Sequence, residues 1–177
     1  MSTIKVKDKE FRLFLDKDQI QEAISRVAGQ INHDLDGKDP LFLSVLNGSF
    51  MFAADLMKQI TIPCNISFIK LASYQGMERG DKVREVFGLS ERIDNRTIVI
   101  VEDIVDSGNT MQQLLESLHT RNPKEVRIAT FLHKPDALRC ELKLDYIAFK
   151  VPNDFVVGYG MDYDGFGRNF GEVYTAI

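Results

Sequence analysis

The sequence predicts an α/β fold, with a mainly parallel central sheet flanked by helices and a small hood. An unbroken run of β-branched residues, Ile98–Val101, suits a central parallel strand that is covered on both faces. Strand-like apolar segments also alternate with helical segments along the chain, as they do in parallel α/β sheets. The tail Asp154–Arg168 is rich in aromatic residues and glycine, which favours an irregular hood over one edge of the sheet.

The first segments of the chain predict a strand and a helix. Residues 1–15 are charged and end in a short apolar stretch, Phe11–Leu15, which we interpret as an edge strand. Asp18 is a candidate N-cap for the following helix, because the next apolar residues fall on one helical face. That face consists of Ile20, Ala23, Ile24, Val27, Ala28 and Ile31.

A strand–turn–helix unit comes next. The apolar segment Leu41–Leu46 predicts a buried strand, which turns at Asn47-Gly48-Ser49 into a helix over Phe50–Ile60. A further strand is predicted over Asn65–Leu71. Residues 73–88 are polar and interrupted by glycine, and loops of this length inside a compact domain are usually functional lids or disordered.

The central strand leads into a second such unit. Asp106–Thr110 forms the turn, and Met111–Leu118 predicts the helix after it. A strand that turns sharply into a helix directs unpaired backbone N–H groups and the positive helix end at one point, which binds anions, most often phosphate. Val126–Leu132 and Leu144–Phe149 complete the predicted sheet, with Lys134-Pro135 ending the first of them.

The turn after the central strand is unusually acidic. Glu102 and Asp103 are adjacent at the end of the strand, and Asp106 follows three residues later. Carboxylates repel phosphate, so three of them favour a ligand that also presents hydroxyl groups, a metal ion or a carbon that becomes cationic. Taken singly, these residues also fit a plainer interpretation, in which Asp106 or Ser107 is an N-cap and Glu102-Asp103 is a solvated strand end.

The ordered string over residues 98–110 resembles the PRPP-binding signature of type I phosphoribosyltransferases, an apolar strand followed by Glu-Asp-x-x-Asp-[Ser/Thr]-Gly-x-Thr. It is neither a Walker A loop nor a dinucleotide-binding fingerprint, since Gly158-Tyr159-Gly160 lacks the third glycine. Three further segments are similar to hypoxanthine-guanine phosphoribosyltransferases, particularly the bacterial form. They are Leu71–Tyr74, Lys134-Pro135 and Pro152–Tyr163.

The resemblance implies the type I phosphoribosyltransferase fold and one domain over residues 1–177. Its core is expected over about 18–150, and its hood is expected from segments 1–15 and 151–177. The implied reaction transfers a 5-phosphoribosyl group from PRPP to N9 of hypoxanthine or guanine, giving IMP or GMP and pyrophosphate in purine salvage, with Mg²⁺ as cofactor. Two alternatives stay open: an enzyme that prefers xanthine and guanine, and a non-catalytic nucleotide sensor or RNA-binding regulator on the same fold.

The resemblance also implies roles for individual residues. Asp106 is expected to be catalytic, beside N7 of the purine. The residues implied for ribose and 5-phosphate are Glu102, Asp103, Ser107, Gly108, Asn109 and Thr110. Pyrophosphate is expected to contact Asn47, Gly48 and Arg168. The purine is expected to contact Lys134, Phe155, Val156 and Asp162. The lid residues are Ser73 and Tyr74, and the implied Mg²⁺ ligands are Glu102, Asp103 and Asp162.

Some of these residues have plainer interpretations when each is taken alone. Lys134 fits a solvated loop lysine, Phe155 fits a core aromatic, and Asp162 fits an ordinary hood carboxylate. Their order relative to the signature favours the site. His33, His119 and His133 lack metal-ligand spacing, and we interpret them as structural or surface residues.

One position departs from the family pattern. Relatives usually carry Lys or Arg where this chain has Asn47, in a turn that in the family contains a non-proline cis peptide beside pyrophosphate. We therefore predict a strained or cis Leu46–Asn47 bond. The missing positive charge is expected to weaken the grip on pyrophosphate, although the Gly48 N–H can still donate to it.

Charge and cysteine usage bound the partners. A formal net charge of −4 argues against a general nucleic-acid binder and against a membrane-surface protein. The two cysteines, Cys64 and Cys140, are expected to be free core thiols of a cytoplasmic protein. No signal peptide or membrane-spanning stretch is predicted. Self-association into a homodimer or homotetramer is implied by the resemblance.

Overall fold

The computed structural model describes residues 2–73, 83–87 and 89–177. Its strands in chain order are β1 (Thr3–Val6), β2 (Lys9–Leu15), β3 (Leu41–Leu46), β4 (Asn65–Ser73), β5 (Val83–Phe87), β6 (Thr97–Val105), β7 (Glu125–His133), β8 (Tyr146–Lys150), β9 (Val156–Val157) and β10 (Val173–Ala176). The helices are α1 (Lys17–Asp34), α2 (Phe50–Met57) and α3 (Asn109–His119), with a 3₁₀ turn at Pro135–Ala137.

The larger sheet confirms the predicted parallel architecture. Its strand order is β5-β4-β3-β6-β7-β8, and neighbouring strands from β4 to β8 in this order are parallel. Only β5, at one edge, pairs antiparallel to its neighbour among the strands that the model describes in this sheet. In a parallel sheet the carboxyl ends of the strands lie along one edge, so the loops after β3, β6 and β7 share that edge.

Helices cover both faces of this sheet, which accounts for the continuous apolar run in its central strand. Val99 and Val101 pack in the cluster that contains the buried residues of α1 and α2. Ile98 and Ile100 point the other way and pack with the buried residues of α3. Because successive side chains of β6 alternate between the two clusters, every position of the run has to be apolar.

The smaller sheet joins both ends of the chain. Its order is β1-β2-β10-β9, and all of its neighbours are antiparallel. The prediction of an edge strand at Phe11–Leu15 is wrong, because β2 lies between β1 and β10. The segment Thr3–Val6 forms the strand outside β2, and the alternation of its more exposed and more buried positions is too short to have been recognised.

The apolar face predicted for α1 is confirmed, since all six of its residues are buried. Its predicted N-cap is wrong: the helix starts after Asp16, not after Asp18. The Gln19 N–H donates to Asp16 Oδ1 at 2.9 Å, and the Asp16 N–H donates to Gln19 Oε1 at 3.0 Å. This reciprocal capping box satisfies two backbone N–H donors at the start of the helix.

Three other boundaries differ from the prediction, and strand pairing explains two of them. Helix α2 ends at Met57 rather than Ile60. Strand β6 continues past Val101 to Val105, because its ladder with β7 extends to the pair Val105–His133. The predicted loop over 73–88 contains β5, which is held by pairing with β4.

Cysteine and membrane predictions have mixed outcomes. Cys64 and Cys140 are both free, but each is only half-buried, so their placement in the core was wrong. His33 and His119 are exposed, and His133 is buried at the end of β7. Among the described residues, no helix is long and apolar enough to cross a membrane.

Candidate active site

The phosphate side of the site is a small cavity at the start of α3. Its volume is about 90 Å³. Gly108 is the N-cap of α3, with φ of 83°, and its helix end has no side-chain cap. The alternative with Asp106 or Ser107 as N-cap is therefore wrong. The Asn109 N–H makes a long hydrogen bond of 3.4 Å to Ser107 Oγ, and the N–H groups of Thr110 and Met111 stay available to an anion. The cavity is lined by Glu102, Ile104, Val105, Asp106, Ser107, Gly108, Thr110 and Met111.

A glycine is required at the head of this helix. A Cβ on Gly108 would lie 2.7 Å from Cys140 Sγ and 2.8 Å from Leu138 Cδ1, in addition to the unfavourable φ. The Arg139 N–H also donates to the Ser107 carbonyl at 3.0 Å. The segment after β7 therefore packs against the turn at Ser107 and Gly108.

The adjacent acids of β6 have very different environments. Glu102 is only 7% exposed, and its Oε1 accepts from the Asp103 N–H at 3.1 Å. Burial raises the pKa of the Glu102 carboxyl well above its usual range, and the neighbouring Asp103 carboxylate raises it further. Asp103 is half-buried, and its Oδ1 accepts from the Ile104 N–H at 2.9 Å. The interpretation of Glu102 as a solvated strand end is wrong.

Replacing Glu102 by glutamine is expected to stabilise the ligand-free protein in a pH-dependent way. Above the ordinary pKa of 4.5 the unfolded chain loses the proton that folded Glu102 keeps, so wild-type stability falls as pH rises toward the raised folded pKa. The neutral amide avoids this loss. We expect a gain of about 1–2 kcal/mol at pH 8, or about 2–8 °C in Tm, and none at pH 4.

Thermal unfolding at pH 4, 6 and 8 measures this difference. The matched control is Glu116→Gln, the same change at an exposed position of α3. If the Tm of Glu102→Gln stays at or below that of wild type at pH 8, the claim that the buried Glu102 carboxyl destabilises the folded protein at high pH is wrong.

The base side of the site is a cleft of about 220 Å³ between the large sheet and the segment that contains β9. Lys134 is only 7% exposed, and its ammonium lies 3.9 Å from Asp106 Oδ2. Phe155 is 46% exposed. The solvated-lysine and core-aromatic interpretations of these two residues are both wrong. The cleft is lined by Asp103, Ile104, Asp106, Lys134, Phe155, Val156, Met161 and Asp162.

Asp162 and Arg168 bind each other at the rim of this cleft. Arg168 Nη2 lies 2.7 Å from Asp162 Oδ1, and Arg168 Nη1 donates to the Gly160 carbonyl at 2.8 Å. The Gly165 N–H donates to the other Asp162 oxygen at 2.6 Å. Both groups are therefore engaged within the protein, and a ligand of either one has to compete with this ion pair.

The turn after β3 lies against the same acids. The Leu46–Asn47 peptide bond is cis, which confirms the prediction. A Cβ on Gly48 would overlap the Asp103 carboxylate, and a Cβ on Gly160 would overlap the Gly48 carbonyl. The backbone at Gly48 thus lies between the Asp103 carboxylate and the backbone at Gly160, with no room for a side chain at either glycine.

Buried serines support this turn. Ser49 Oγ donates to the Val45 carbonyl at 2.6 Å and lies 2.7 Å from Ser44 Oγ. Sequence reasoning did not assign either residue to the site, although Ser44 is the one polar residue of β3 and could have signalled it. Of the lid residues, Ser73 ends β4, and Tyr74 lies outside the described residues.

The chain matches the family model for the phosphoribosyl transferase domain over residues 14–164. It is 38% identical over 170 residues to the hypoxanthine-guanine phosphoribosyltransferase of Mycobacterium tuberculosis, covering 92% of this chain and 84% of that protein. The chain belongs to the hypoxanthine-guanine phosphoribosyltransferase family.

Two further relatives agree with this membership. The Streptococcus pneumoniae hypoxanthine-guanine phosphoribosyltransferase is 35% identical over 89% of this chain and 88% of its own length. The Trypanosoma cruzi hypoxanthine phosphoribosyltransferase, solved in complex with the product IMP, superposes with a TM-score of 0.90 and 31% identity. That alignment covers 98% of this chain and 97% of the other.

Hypoxanthine-guanine phosphoribosyltransferases generally use Mg²⁺ with PRPP, and the acids of this chain suit such an ion. Within the described part of the chain, no three His, Cys, Asp or Glu side chains form a metal-binding group. Mg²⁺ commonly takes one or two carboxylates and completes its shell with water and substrate phosphates. Glu102 lines the phosphate-side cavity and Asp103 lines the cleft, so this pair fits an ion held largely by substrate.

The family signature did not identify every residue of the site. Ile104 and Met161 line the cleft, and neither was predicted. Strand alternation would not have found Ile104, because it packs with Val99 and Val101, whereas strict alternation puts it on the face of Ile98 and Ile100. A larger cavity of about 390 Å³ lies between α1 and α2. It includes none of the predicted site residues, so we place the site at the smaller cleft, where the acids and Lys134 converge.

Proposed function

We propose that this chain transfers the 5-phosphoribosyl group of PRPP to N9 of hypoxanthine or guanine, giving IMP or GMP and pyrophosphate in purine salvage. The single observation that carries this proposal is the position of Asp106, which lines both the phosphate-side cavity and the cleft. A ligand with a phosphate in the first and a planar base in the second has its glycosidic bond beside this carboxylate. We propose one phosphoribosyltransferase domain over the whole chain.

The chemistry explains the acids around that bond. When the bond from ribose C1 to pyrophosphate breaks, C1 becomes cationic before N9 closes on it. Glu102 and Asp103 would accept hydrogen bonds from the ribose hydroxyls and stabilise this positive charge. Asp106 would accept the purine proton at N7 as the bond from N9 to C1 forms. Because Asp106 is exposed, it is accessible to the incoming base.

The 5-phosphate would be held by the start of α3. Ser107 and Thr110 supply hydroxyl donors, and Gly108 and Asn109 supply backbone N–H groups. Support comes from the uncapped helix end and from the cavity that opens on it. Asn109 is exposed and lies outside the group of described residues that line this cavity, so its contact would be through the backbone.

Lys134 would select a 6-oxopurine. Its buried ammonium would donate to O6 of hypoxanthine or guanine, whereas the 6-amino group of adenine presents a donor and leaves the ammonium unpaired. Phe155 would stack on the base, and the Val156 backbone and Asp162 would contact its edge. All four residues line the same cleft, which supports this division of roles.

Pyrophosphate would lie at the turn after β3, with Asn47, Gly48 and Arg168 as its contacts. A Mg²⁺ ion held by Glu102 and Asp103, and by Asp162 through water, would neutralise part of the pyrophosphate charge. Ser73 and Tyr74 would close the lid and exclude water from the reaction. A cytoplasmic location and a homodimer or homotetramer complete the proposal, and no observation favours a xanthine-preferring enzyme or a non-catalytic regulator.

Pyrophosphate release from PRPP with hypoxanthine, guanine, xanthine and adenine tests the function. We expect hypoxanthine or guanine to be the best acceptor, and kcat/KM for it to fall about 10- to 100-fold in Lys134→Met, since a charged hydrogen bond is lost. Lys124→Met, at an exposed position before β7, is the matched control. Adenine as the best acceptor of the wild type would overturn the role of Lys134, and turnover of none of the four would overturn the function.

A further inference from the structure

The turn between β1 and β2 contacts the segment around β9, which carries Phe155, the aromatic residue proposed to stack on the purine. We use the name hairpin turn for Lys7 and Asp8 together with Lys9, the first residue of β2. Each of the three contacts the segment from Phe155 to Phe166, although more than 140 residues separate them in sequence. Sequence reasoning assigned no function to residues 1–15 beyond a place in the hood.

Lys9 is shared between two aromatic rings. Its ammonium lies 5.6 Å from the Phe155 ring centroid and 4.7 Å from the Tyr163 ring centroid. Both distances are within the range of cation–π attraction. The cleft residues include Phe155, whereas Lys9 is outside the group of described residues that line it. The ammonium therefore contacts the Phe155 ring without lining the cleft.

The other two residues of the turn hold the same loop. Tyr163 OH donates to Asp8 Oδ1 at 3.0 Å. Lys7 forms an ion pair with Asp164, and its ammonium lies 5.0 Å from the Phe166 ring centroid. The hydrogen bond and the ion pair hold the segment after β9 against Asp8 and Lys7, the two residues that precede Lys9.

Phe155 needs such support to keep one orientation. Nearly half of its surface is exposed, so packing alone leaves the ring free on one side. Its ring neighbours are Phe11, which is buried and has its centroid 6.3 Å away, and Tyr163, at 5.8 Å in an edge-on arrangement. A base that stacks on a ring already held in place loses less conformational entropy than one that has to order it.

We propose that Lys9 is a positioning residue of the purine site: its ammonium, together with the Asp8–Tyr163 hydrogen bond, holds the Phe155 ring in the orientation that stacks on the base. This rests on the proposed function, in which Phe155 contacts the purine. Lys9 would act on purine binding and not on PRPP, because the phosphate-side cavity is built from β6 and α3 and includes no residue of the hairpin.

Steady-state kinetics with Lys9→Met tests this role. The variant keeps the unbranched stem and removes the charge. We expect KM for hypoxanthine to rise about two- to five-fold, the scale of an exposed cation–π contact, with KM for PRPP and kcat unchanged. Lys9→Arg is expected to restore the wild-type KM, because a guanidinium also stacks on aromatic rings. Tyr163→Phe, which removes only the hydroxyl bound to Asp8, is expected to raise the same KM.

Lys5→Met is the matched control, since Lys5 is an exposed lysine of the same hairpin in strand β1. Wild-type values of KM for hypoxanthine in Lys9→Met would overturn the positioning role while leaving the proposed function intact. Equal increases in KM for hypoxanthine and for PRPP would assign Lys9 to general stability and would also overturn it. A wild-type protein that does not turn over hypoxanthine would overturn both proposals together.

Discussion

Asp106→Asn is expected to lower kcat for hypoxanthine by about 10²–10⁴, the usual contribution of one proton-transfer group. The amide keeps the size of the side chain but cannot accept the N7 proton. Because Asp106 lines both the phosphate-side cavity and the cleft, its removal should affect the chemical step more than the binding of either substrate. Pyrophosphate release at saturating PRPP and hypoxanthine measures the change.

Asp136→Asn is the matched control for this substitution, because Asp136 is exposed in the 3₁₀ turn that follows Lys134. We expect it to retain wild-type kcat. Thermal unfolding should give both variants a Tm close to that of wild type, which separates chemistry from folding. Equal turnover by Asp106→Asn and wild type would remove Asp106 from the mechanism.

Gly160→Ala is expected to destabilise the protein by about 2–5 kcal/mol, through the cost of a side chain at positive φ and the overlap with its neighbour. The φ of Gly160 is 96°, and the added Cβ would overlap the Gly48 carbonyl, a backbone atom that cannot rotate away. For a chain of this length the expected fall in Tm is about 5–15 °C. Because Gly48 lies beside Asp103, we also expect KM for PRPP to rise.

Gly37→Ala separates the two causes. Gly37 has a φ of 72°, and a Cβ there would meet nothing within 4 Å. This control carries the dihedral cost alone, so we expect a loss of about 1–2 kcal/mol and an unchanged KM for PRPP. A similar Tm for the two variants would argue against the tight contact between the turn after β3 and the loop after β9.

The large sheet was predictable because the first part of its central strand is apolar throughout and helix α1 is amphipathic. Ile98–Val101 indicated a strand buried on both faces, and the alternation of its side chains between two helix layers is the reason. The six residues of the α1 face followed from helical periodicity in the same way. Both the apolar run and the helical periodicity are local patterns, and the tertiary contacts of β6 and α1 agree with them.

The small sheet and the helix caps were harder to predict. The position of β2 depends on β10, which lies more than 150 residues away and leaves no mark on the pattern of Phe11–Leu15. The choice between Asp16 and Asp18 as N-cap depended on Gln19, whose side chain closes the capping box only with the first of them. The position of β2 depends on non-local strand pairing, and the N-cap of α1 depends on side-chain geometry. The periodicity of the sequence predicts neither of them.

The resemblance to the family predicted the roles of the site residues, but their burial and mutual contacts became known only from the fold. Glu102 could be named from the signature, but its burial depends on the extension of β6 along β7. The pairing of Arg168 with Asp162 was not predictable, because each was assigned to a different ligand. The contact of Lys9 with Phe155 joins segments that no motif connects. The roles of the individual residues stay predictions until the variants are measured.

The arrangement of the small sheet has a consequence for the order in which the two substrate sites are made during synthesis. The phosphate side uses β6 and the helix directly after it, and both leave the ribosome before β9 and β10 do. Phe155 directly precedes β9, which is held by pairing with β10. The phosphate side is therefore synthesised before the strands that hold the base side are complete.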